Sequence, residues 1–184
     1  MVEKEQSILY SGGHQGAELA FAEAAAKRAV KVINFTFAGH KTAQDHNAVI
    51  LSEEELRRGD ISMELASKMM HRTYYGAQRI RKVLQAIFHM VNNGYQIFAV
   101  GNIRPDNTVK GGTGWAVELA KLFNRPVSVF DQDQGKWFTW RDGTWQEDTP
   151  RISHHTFVGS GTRNLNEQGR QAIEALFAES FDTP

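Results

Sequence analysis

The sequence predicts an α/β fold, a single three-layer domain over residues 1–184 with a parallel β-sheet, helices on both faces and a small β-hairpin insertion. Three observations predict it. Short runs rich in β-branched and aromatic residues alternate with helical stretches along the chain. Glycine-rich turns join three of these strands to the next helix. No linker, repeat or low-complexity tract divides the 184 residues, a length that suits one domain with a sizeable core.

The first half of the chain predicts two strands and two helical regions. In chain order we expect a strand at 8–11, a helix at 17–28, a strand at 30–37 and a polar loop at 38–47. Ser52 and Glu55 have the spacing of a capping box, which predicts a helix start. An apolar stripe at helical spacing then predicts a longer helix that stops at "NNG" (92–94). The stripe consists of Ile80, Val83, Leu84, Ile87, Phe88 and Val91.

The second half predicts three more strands, a hairpin and two more helices. A buried strand at 95–101 precedes "GGTGWAVELAKLF", a glycine turn that opens a helix, and a strand follows at 125–132. The segment 136–146 predicts a β-hairpin, because Asp142-Gly143 is a preferred two-residue turn between alternating aromatics. We expect its tryptophans to pack on the sheet or on a partner subunit. Residues 155–177 predict a strand, a glycine loop and a helix once more.

Composition excludes several classes of protein. Acidic and basic side chains number 21 each, so no net field favours nucleic acid or an anionic membrane. The chain has no cysteine, which excludes disulfides, thiolate nucleophiles and cysteine-ligated metals. The N-terminal "MVEKEQS" lacks the apolar core of a signal peptide, and no apolar run has membrane-spanning length. We therefore expect a cytoplasmic protein.

Three glycine-rich loops are expected on one edge of the sheet, at residues 12–16, 111–114 and 159–161. Loops that leave the carboxyl ends of parallel strands share the edge where ligands bind. Each loop is expected to open a helix, whose N-terminal N–H groups and dipole attract anions. One such loop alone is more often a simple tight turn. Three on the same edge favour a phosphate-sized site.

Familiar motifs are absent. The chain has no G-x-x-x-x-G-K-[ST], and its first loop lacks G-x-G-x-x-G spacing. The predicted second strand ends in "NFTFAGH" with no acid to hold a ribose, which disfavours an ordinary NAD site. The seven histidines form no H-E-x-x-H or facial triad, so we predict no metal site.

Two of the loops resemble a known family. "SGGHQGAE" resembles the first loop of the SLOG superfamily, a Rossmann-like group that includes the LOG phosphoribohydrolases, the DNA-processing protein DprA, YspA-related nucleotide-sensing domains and molybdenum cofactor carrier-like proteins. "GGTGWAVE" is similar to the LOG signature P-G-G-x-G-T-x-x-E, with Gly111, Gly112 and Gly114 at matching positions. Lys110 replaces the proline and Trp115 replaces the threonine.

The molybdenum cofactor carrier-like branch is similar over more of the chain. Its first loop has the form G-G-x-x-G-x-[DE], and this chain also offers its Arg72-Thr73 pair, its G-G-T turn and a late arginine, Arg163. About twenty positions carry the resemblance. The stretch after Arg72 is longer than in the family pattern, and the 136–146 hairpin has no counterpart in it.

The resemblance implies roles for individual residues. Glu118 matches the LOG glutamate that supports cleavage of an N-glycosidic bond, and Arg72 would orient the ligand. From the residues alone, Glu118 and Glu18 are equally well explained as first-turn acids favoured by the helix dipole. Arginine suits phosphate because its planar fork bonds two oxygens at once. The residues assigned to ligand binding are Gly12, Gly13, His14, Gln15, Gly16, Glu18, Thr73, Lys110, Gly111, Gly112, Thr113, Gly114, Gly161, Thr162 and Arg163.

The leading hypothesis is therefore a domain that binds a nucleotide or nucleotide-derived phosphorylated ligand. One alternative is a phosphoribohydrolase acting on a nucleoside 5′-monophosphate, and another is a carrier of a molybdopterin-type cofactor. A DprA-like role with nucleic acid is disfavoured by the neutral net charge. Related folds form dimers, so we expect a homodimer or higher homo-oligomer. Two explanations fit the apolar residues Met63, Met69, Met70 and Tyr74-Tyr75 equally well: an apolar surface for subunit contact, or packing in the core.

Overall fold

A computed structural model describes residues 2–44, 46–74 and 76–182 of the chain. Its strands are β1 (Ile8–Ser11), β2 (Lys31–Phe37), β3 (Ala48–Leu51), β4 (Gln96–Gly101), β5 (Val127–Asp131), β6 (Lys136–Arg141), β7 (Thr144–Glu147) and β8 (Thr156–Gly161). Its α-helices are α1 (Ala17–Ala26), α2 (Glu53–Arg57), α3 (Asp60–Met70), α4 (Gln78–Asn93), α5 (Thr113–Leu122) and α6 (Glu167–Phe177). A 3-10 turn at Lys4–Gln6 and a π-helical turn at Ala178–Asp182 lie near the two ends.

The strands form one sheet in the order β3-β2-β1-β8-β4-β5-β6-β7. All neighbours from β3 to β5 are parallel, whereas β6 and β7 continue the sheet as an antiparallel hairpin. The last strand, β8, lies between β1 and β4. From β1 the chain turns towards one side of the sheet and from β4 towards the other. This reversal creates the crevice where ligands bind in open α/β sheets.

Helices cover both faces of the sheet, as predicted. Helices α1 and α6 pack together on one face, while α4 and α5 cover the other, with α2 and α3 packed against them. Alternate strand residues point into the two cores: Phe98 faces α1 and α6, and its neighbour Ile97 faces α4 and α5. Among the described helices, none combines the length and apolar character that crossing a bilayer requires.

Most predicted elements are confirmed within one or two residues. Ser52 and Glu55 form the predicted capping box at α2, and α4 ends at "NNG". The short edge strand β3 lies where the sequence analysis predicted no element. Three of its four residues are exposed, so it lacks the buried alternation that identifies a strand.

The third glycine loop was placed wrongly, because residues 159–161 belong to β8. A Cβ on Gly159 would lie 2.5 Å from Cγ of Phe21, so this glycine serves the packing of α1 on the sheet. Helix α6 does not open at these glycines either. It begins at Glu167, where the Asn166 side chain accepts a hydrogen bond from the backbone N–H of Gly169.

The predicted hairpin is confirmed, and its tryptophans pack on the molecule itself. Asp142 and Gly143 both have positive φ, the geometry of a type I′ turn. Trp140 and Trp145 are paired across the strands with ring centroids 5.1 Å apart. Trp137 contacts Phe98 and Phe130, which belong to the core on the α1 and α6 face of the sheet.

We expect Gly159→Ala to lower the free energy of unfolding by about 1–3 kcal/mol, because the added methyl overpacks the fully buried Phe21. Gly76→Ala is the control, since nothing lies within 4 Å of a Cβ there. Urea unfolding measures both. The penalty of Gly159→Ala should shrink when Phe21→Leu is combined with it. A penalty that simply adds would contradict the contact between residues 21 and 159.

Candidate functional site

The loops after β1, β8 and β4 lie side by side at the carboxyl edge of the sheet, because these strands are neighbours. They enclose a cavity of about 460 Å³, within the size range of small-ligand sites. Its lining residues are Gly12, His14, Glu18, Phe35, His40, Val83, Ala86, Ile87, Met90, Gly101, Asn102, Lys110, Gly111, Gly112, Thr113, Gln132, Ser160, Gly161, Thr162, Arg163 and Asn164.

The loop after β1 and the loop after β8 are joined by a backbone hydrogen bond. The N–H of Ala17 donates to the carbonyl of Thr162 over 3.0 Å. Gly16, with φ +85°, approaches so closely that a Cβ would lie 2.5 Å from that carbonyl oxygen and 2.6 Å from Cα of Arg163. A glycine is required here both for the positive φ and for the close approach. This joint sets where Arg163 stands relative to the first loop.

The second loop is held by Arg72. Its guanidinium donates to the carbonyls of Gly111 (3.0 Å) and Val109 (2.7 Å), and it also reaches Oγ1 of Thr108. The loop itself is a short arm, closed by an isolated antiparallel bridge between Ile103 and Val109. Arg72 therefore positions the glycines that open α5.

Carboxyl and amide side chains at the end of β5 fix two of the loops. Asp131, which is 1% exposed, accepts from the backbone N–H of Ile103 at 2.8 Å. Gln132 donates to the carbonyl of Asn164 and accepts from the N–H of Asn166. The arm after β4 and the loop after β8 are thus tied to the same strand end.

A chain of four polar side chains crosses one wall of the cavity. The carboxylate of the buried Glu18 accepts from the backbone N–H of His14 and contacts its Nδ1, both at 2.9 Å. Nε2 of His14 lies 3.0 Å from Nε2 of His40, and Nδ1 of His40 lies 2.9 Å from Oγ1 of Thr36.

One set of proton positions satisfies this network while both rings are neutral. The Nδ1–H of His14 donates to Glu18, the Nε2–H of His40 donates to His14, and the hydroxyl of Thr36 donates to His40.

Burial lowers the pKa of His40 to about 4, and the positive charges of Arg79 and Arg163 add to the effect together with His14. Glu18 acts in the opposite direction. The ring is also stacked on Phe37, with centroids 4.4 Å apart. His40 is therefore neutral at physiological pH and is fixed in orientation by its neighbours.

Another part of the cavity lining is apolar. It comes from the face of α4 that covers β1 and β2, through Val83, Ala86, Ile87 and Met90, together with Phe35 of β2. The Phe35 ring is stacked on Tyr10 at 5.7 Å. The cavity can therefore bind a planar apolar group on one side and polar groups on the other.

A second cavity of about 900 Å³ adjoins the first and shares four lining residues with it, Val83, Gly111, Gly112 and Arg163. Arg72, Arg79, Arg104 and Trp115 also line it. No group of three or more His, Cys, Asp or Glu side chains in the described part of the chain is arranged to hold a metal ion.

The structure brings most of the predicted site residues together. Those that line the first cavity are Gly12, His14, Glu18, Lys110, Gly111, Gly112, Thr113, Gly161, Thr162 and Arg163. Arg72 lines the second cavity. The residues that line neither are Gly13, Gln15, Gly16, Thr73, Gly114 and Glu118. Gly16 packs closely against the loop after β8, and Gly114 packs closely against Val109. Gln15 and Thr73 are exposed.

Glu118 lies on the hairpin side of α5. Its carboxylate is 3.4 Å from Nζ of Lys121, which in turn lies 3.8 Å from the ring centroid of Trp140. Burial lowers the pKa of Lys121, while Glu118 opposes the shift. The carboxylate that reaches the cavity is that of Glu18.

Sequence analysis missed His40, Arg79, Asn102 and Gln132. Three of them were open to the same argument as the glycine loops, since His40 follows β2, Asn102 follows β4 and Gln132 follows β5 at the same edge of the sheet. Arg79 lies in the first turn of α4, beside the predicted apolar stripe. Only the packing of α4 over the edge brings it to the site.

Comparisons of the chain with protein-family models, with curated proteins and with solved structures found no match. Conclusions about function therefore rest on the residues and contacts of this chain.

We expect stability to fall as the pH drops from 6.5 towards 4, because His40 has an ordinary pKa of 6.5 when unfolded and about 4 when folded. Between these two pKa values His40 binds more protons in the unfolded chain than in the folded chain, so protonation increasingly favours the unfolded state as the pH falls. Above pH 6.5 the contribution of His40 to the free energy of unfolding is constant. Urea unfolding at about pH 7 and about pH 5 measures the slope. His40→Gln should flatten it, whereas the exposed His155→Gln should not. An unchanged slope in His40→Gln would contradict the assignment.

Proposed function

We propose that this protein binds a nucleotide, or a nucleotide-derived phosphorylated ligand, in the cavity at the loop edge. The observation that carries the proposal is the mixed lining of one cavity of about 460 Å³, which combines cationic and backbone donor groups with apolar side chains. A nucleotide has the same division, with an anionic phosphate at one end and a planar base at the other.

The phosphate would lie at the second glycine loop. Lys110 and Arg163 supply positive charge there, and α5 begins directly after Gly112 with no side chain capping its first turn. Nothing lies within 4 Å of a Cβ built on Gly111 or Gly112, so their backbone faces open space. Backbone donors at a helix N-terminus together with an arginine fork form a favourable site for a phosphate.

The base would lie against α4. Phe35, Ile87 and Met90 are each buried yet line the cavity, so a planar ring would cover apolar surface without rearranging the core. Asn102, Gln132 and Asn164 provide amide groups for the polar edge of the ring or for the ribose.

No contact favours the alternatives over simple binding. The hydrolase hypothesis assigned catalysis to Glu118, and that carboxylate pairs with Lys121 outside the cavity. No feature of the cavity selects a pterin ring over a purine or pyrimidine. Both hypotheses therefore receive no support from the geometry, and ligand binding is the proposal that the site favours.

Isothermal titration against nucleoside phosphates, ADP-ribose and a pterin cofactor tests the proposal, and we expect saturable binding of at least one. Arg163→Gln should weaken that binding about tenfold or more, the value of one charge-assisted hydrogen bond. Gly112→Ala should also weaken binding, because its methyl enters the cavity while no protein atom lies within 4 Å of it.

The matched control is Glu118→Gln, another change on α5, which should leave affinity within about twofold because this carboxylate lies outside the cavity. Urea unfolding verifies that all variants are folded. Silence of folded wild-type protein across the whole panel would overturn the proposal, and so would binding that Arg163→Gln and Gly112→Ala leave unchanged.

We also propose that the protein self-associates through the outer face of α3. Ile61, Leu65 and Met69, spaced four residues apart, are 79%, 46% and 43% exposed. Of the residues suggested by the sequence, Met63, Met70 and Tyr74 belong to the core, and Tyr75 lies outside the described residues. Light scattering after size exclusion should show a dimer or larger species that Ile61→Lys dissociates. A monomer at all concentrations would refute this.

A further inference from the structure

Four arginines surround the second cavity, hereafter the arginine groove: Arg72, Arg79, Arg104 and Arg163. No acidic residue lines it. The whole chain has equal numbers of acidic and basic side chains, so a groove of one sign is a local concentration of charge. Like charges held together repel, and a bound anion relieves that repulsion.

Three of these arginines lack a carboxylate partner. Across residues 2–44, 46–74 and 76–182, no salt bridge within 4.0 Å involves Arg79, Arg104 or Arg163. By contrast, Arg28 pairs with two carboxylates, and Arg81, two residues after Arg79 on α4, pairs with Asp60.

One carboxylate does lie within electrostatic reach of Arg104 and Arg72, that of Asp106. Its hydrogen bonds go to the N–H and hydroxyl of Thr108, at 3.0 and 2.7 Å, and these bonds are the main cause of its lowered pKa. Asp106 therefore shapes the arm after β4 and leaves the arginines on the groove side for another anion.

The arginine groove adjoins the first cavity. Gly111, Gly112 and Arg163 line both, so a ligand whose first phosphate sits at the glycine loop has its next phosphate directed into the groove. Ile80, Leu84 and the buried Trp115 back the groove with apolar surface, which strengthens charge interactions by lowering the local dielectric. The arginine fork suits the two free oxygens of a phosphoryl group.

We propose that the arginine groove is a second anion subsite, which binds the outer phosphates of a di- or triphosphate chain. It rests on the proposed function, because it treats that chain as the continuation of a nucleotide in the first cavity. Arg163 stands at the junction, Arg79 and Arg104 bind the outer phosphates from opposite sides, and Arg72 holds the loop between the cavities. The preferred ligand is thus a nucleoside di- or triphosphate, not a monophosphate.

Isothermal titration with the mono-, di- and triphosphates of the nucleosides, and with inorganic tripolyphosphate, tests this inference. In wild-type protein we expect the triphosphate to bind about tenfold or more tightly than the monophosphate, since each outer phosphate gains charge-assisted hydrogen bonds. Arg79→Gln and Arg104→Gln should each remove about tenfold from triphosphate affinity and change monophosphate affinity by less than about threefold.

Arg58→Gln is the matched control, because Arg58 is exposed, lines neither cavity and has Glu54, at 3.8 Å, as its one salt-bridge partner among the described residues. It should alter no affinity, which separates the groove from an effect of net charge. Equal binding of mono- and triphosphates would overturn the second subsite and leave the proposed function standing.

Two further outcomes concern the proposed function. Failure of every nucleotide and of tripolyphosphate would overturn both proposals. Tripolyphosphate that binds as tightly as the nucleoside triphosphates, with the same loss in Arg79→Gln and Arg104→Gln, would support the groove and overturn the nucleoside cavity.

Discussion

The site depends on one close approach between two pieces of backbone. Gly16 meets the carbonyl of Thr162, and the N–H of Ala17 donates to the same oxygen. This contact exists because β8, the last strand in the chain, is inserted beside β1. A side chain at position 16 would separate the loops and move Arg163 away from the cavity. The insertion of β8 thus builds the site as well as the sheet.

The positive charges around the edge divide into two groups by their partners. Arg72 donates hydrogen bonds to the carbonyls of the second loop and so holds that loop in position. Arg79, Arg104 and Arg163 stand without salt-bridge partners in the described chain and supply charge. The neutral His40 belongs to this arrangement, because Arg79 and Arg163 add to the effect of burial in lowering its pKa. A site that holds unpaired arginines beside a neutral histidine is suited to an anionic ligand.

Glu18 and Glu118 show how far local sequence can be trusted. Each is a buried acid on a helix that follows a glycine loop, Glu18 as the second residue of α1 and Glu118 as the sixth residue of α5. Glu18 faces the cavity and binds His14, whereas Glu118 faces Lys121 and the hairpin. The helices α1 and α5 lie on opposite faces of the sheet, and the two acids stand at different positions along them, so they turn towards different neighbours. Gly159 is a similar case, since its glycine serves Phe21 and no ligand.

By itself the sequence determined the α/β class, the order of most elements and two of the three glycine loops at the carboxyl edge of the sheet. These follow from periodicity, caps and turn residues, which act over a few positions. Only the tertiary structure decided which residues come together at this edge. It sets the His14–His40 contact, the placing of arginines around the second cavity and the apolar lining that α4 contributes to the first. Those contacts join residues far apart in the chain, and strand order and helix rotation set them. No local pattern encodes either quantity, because both result from how the layers pack.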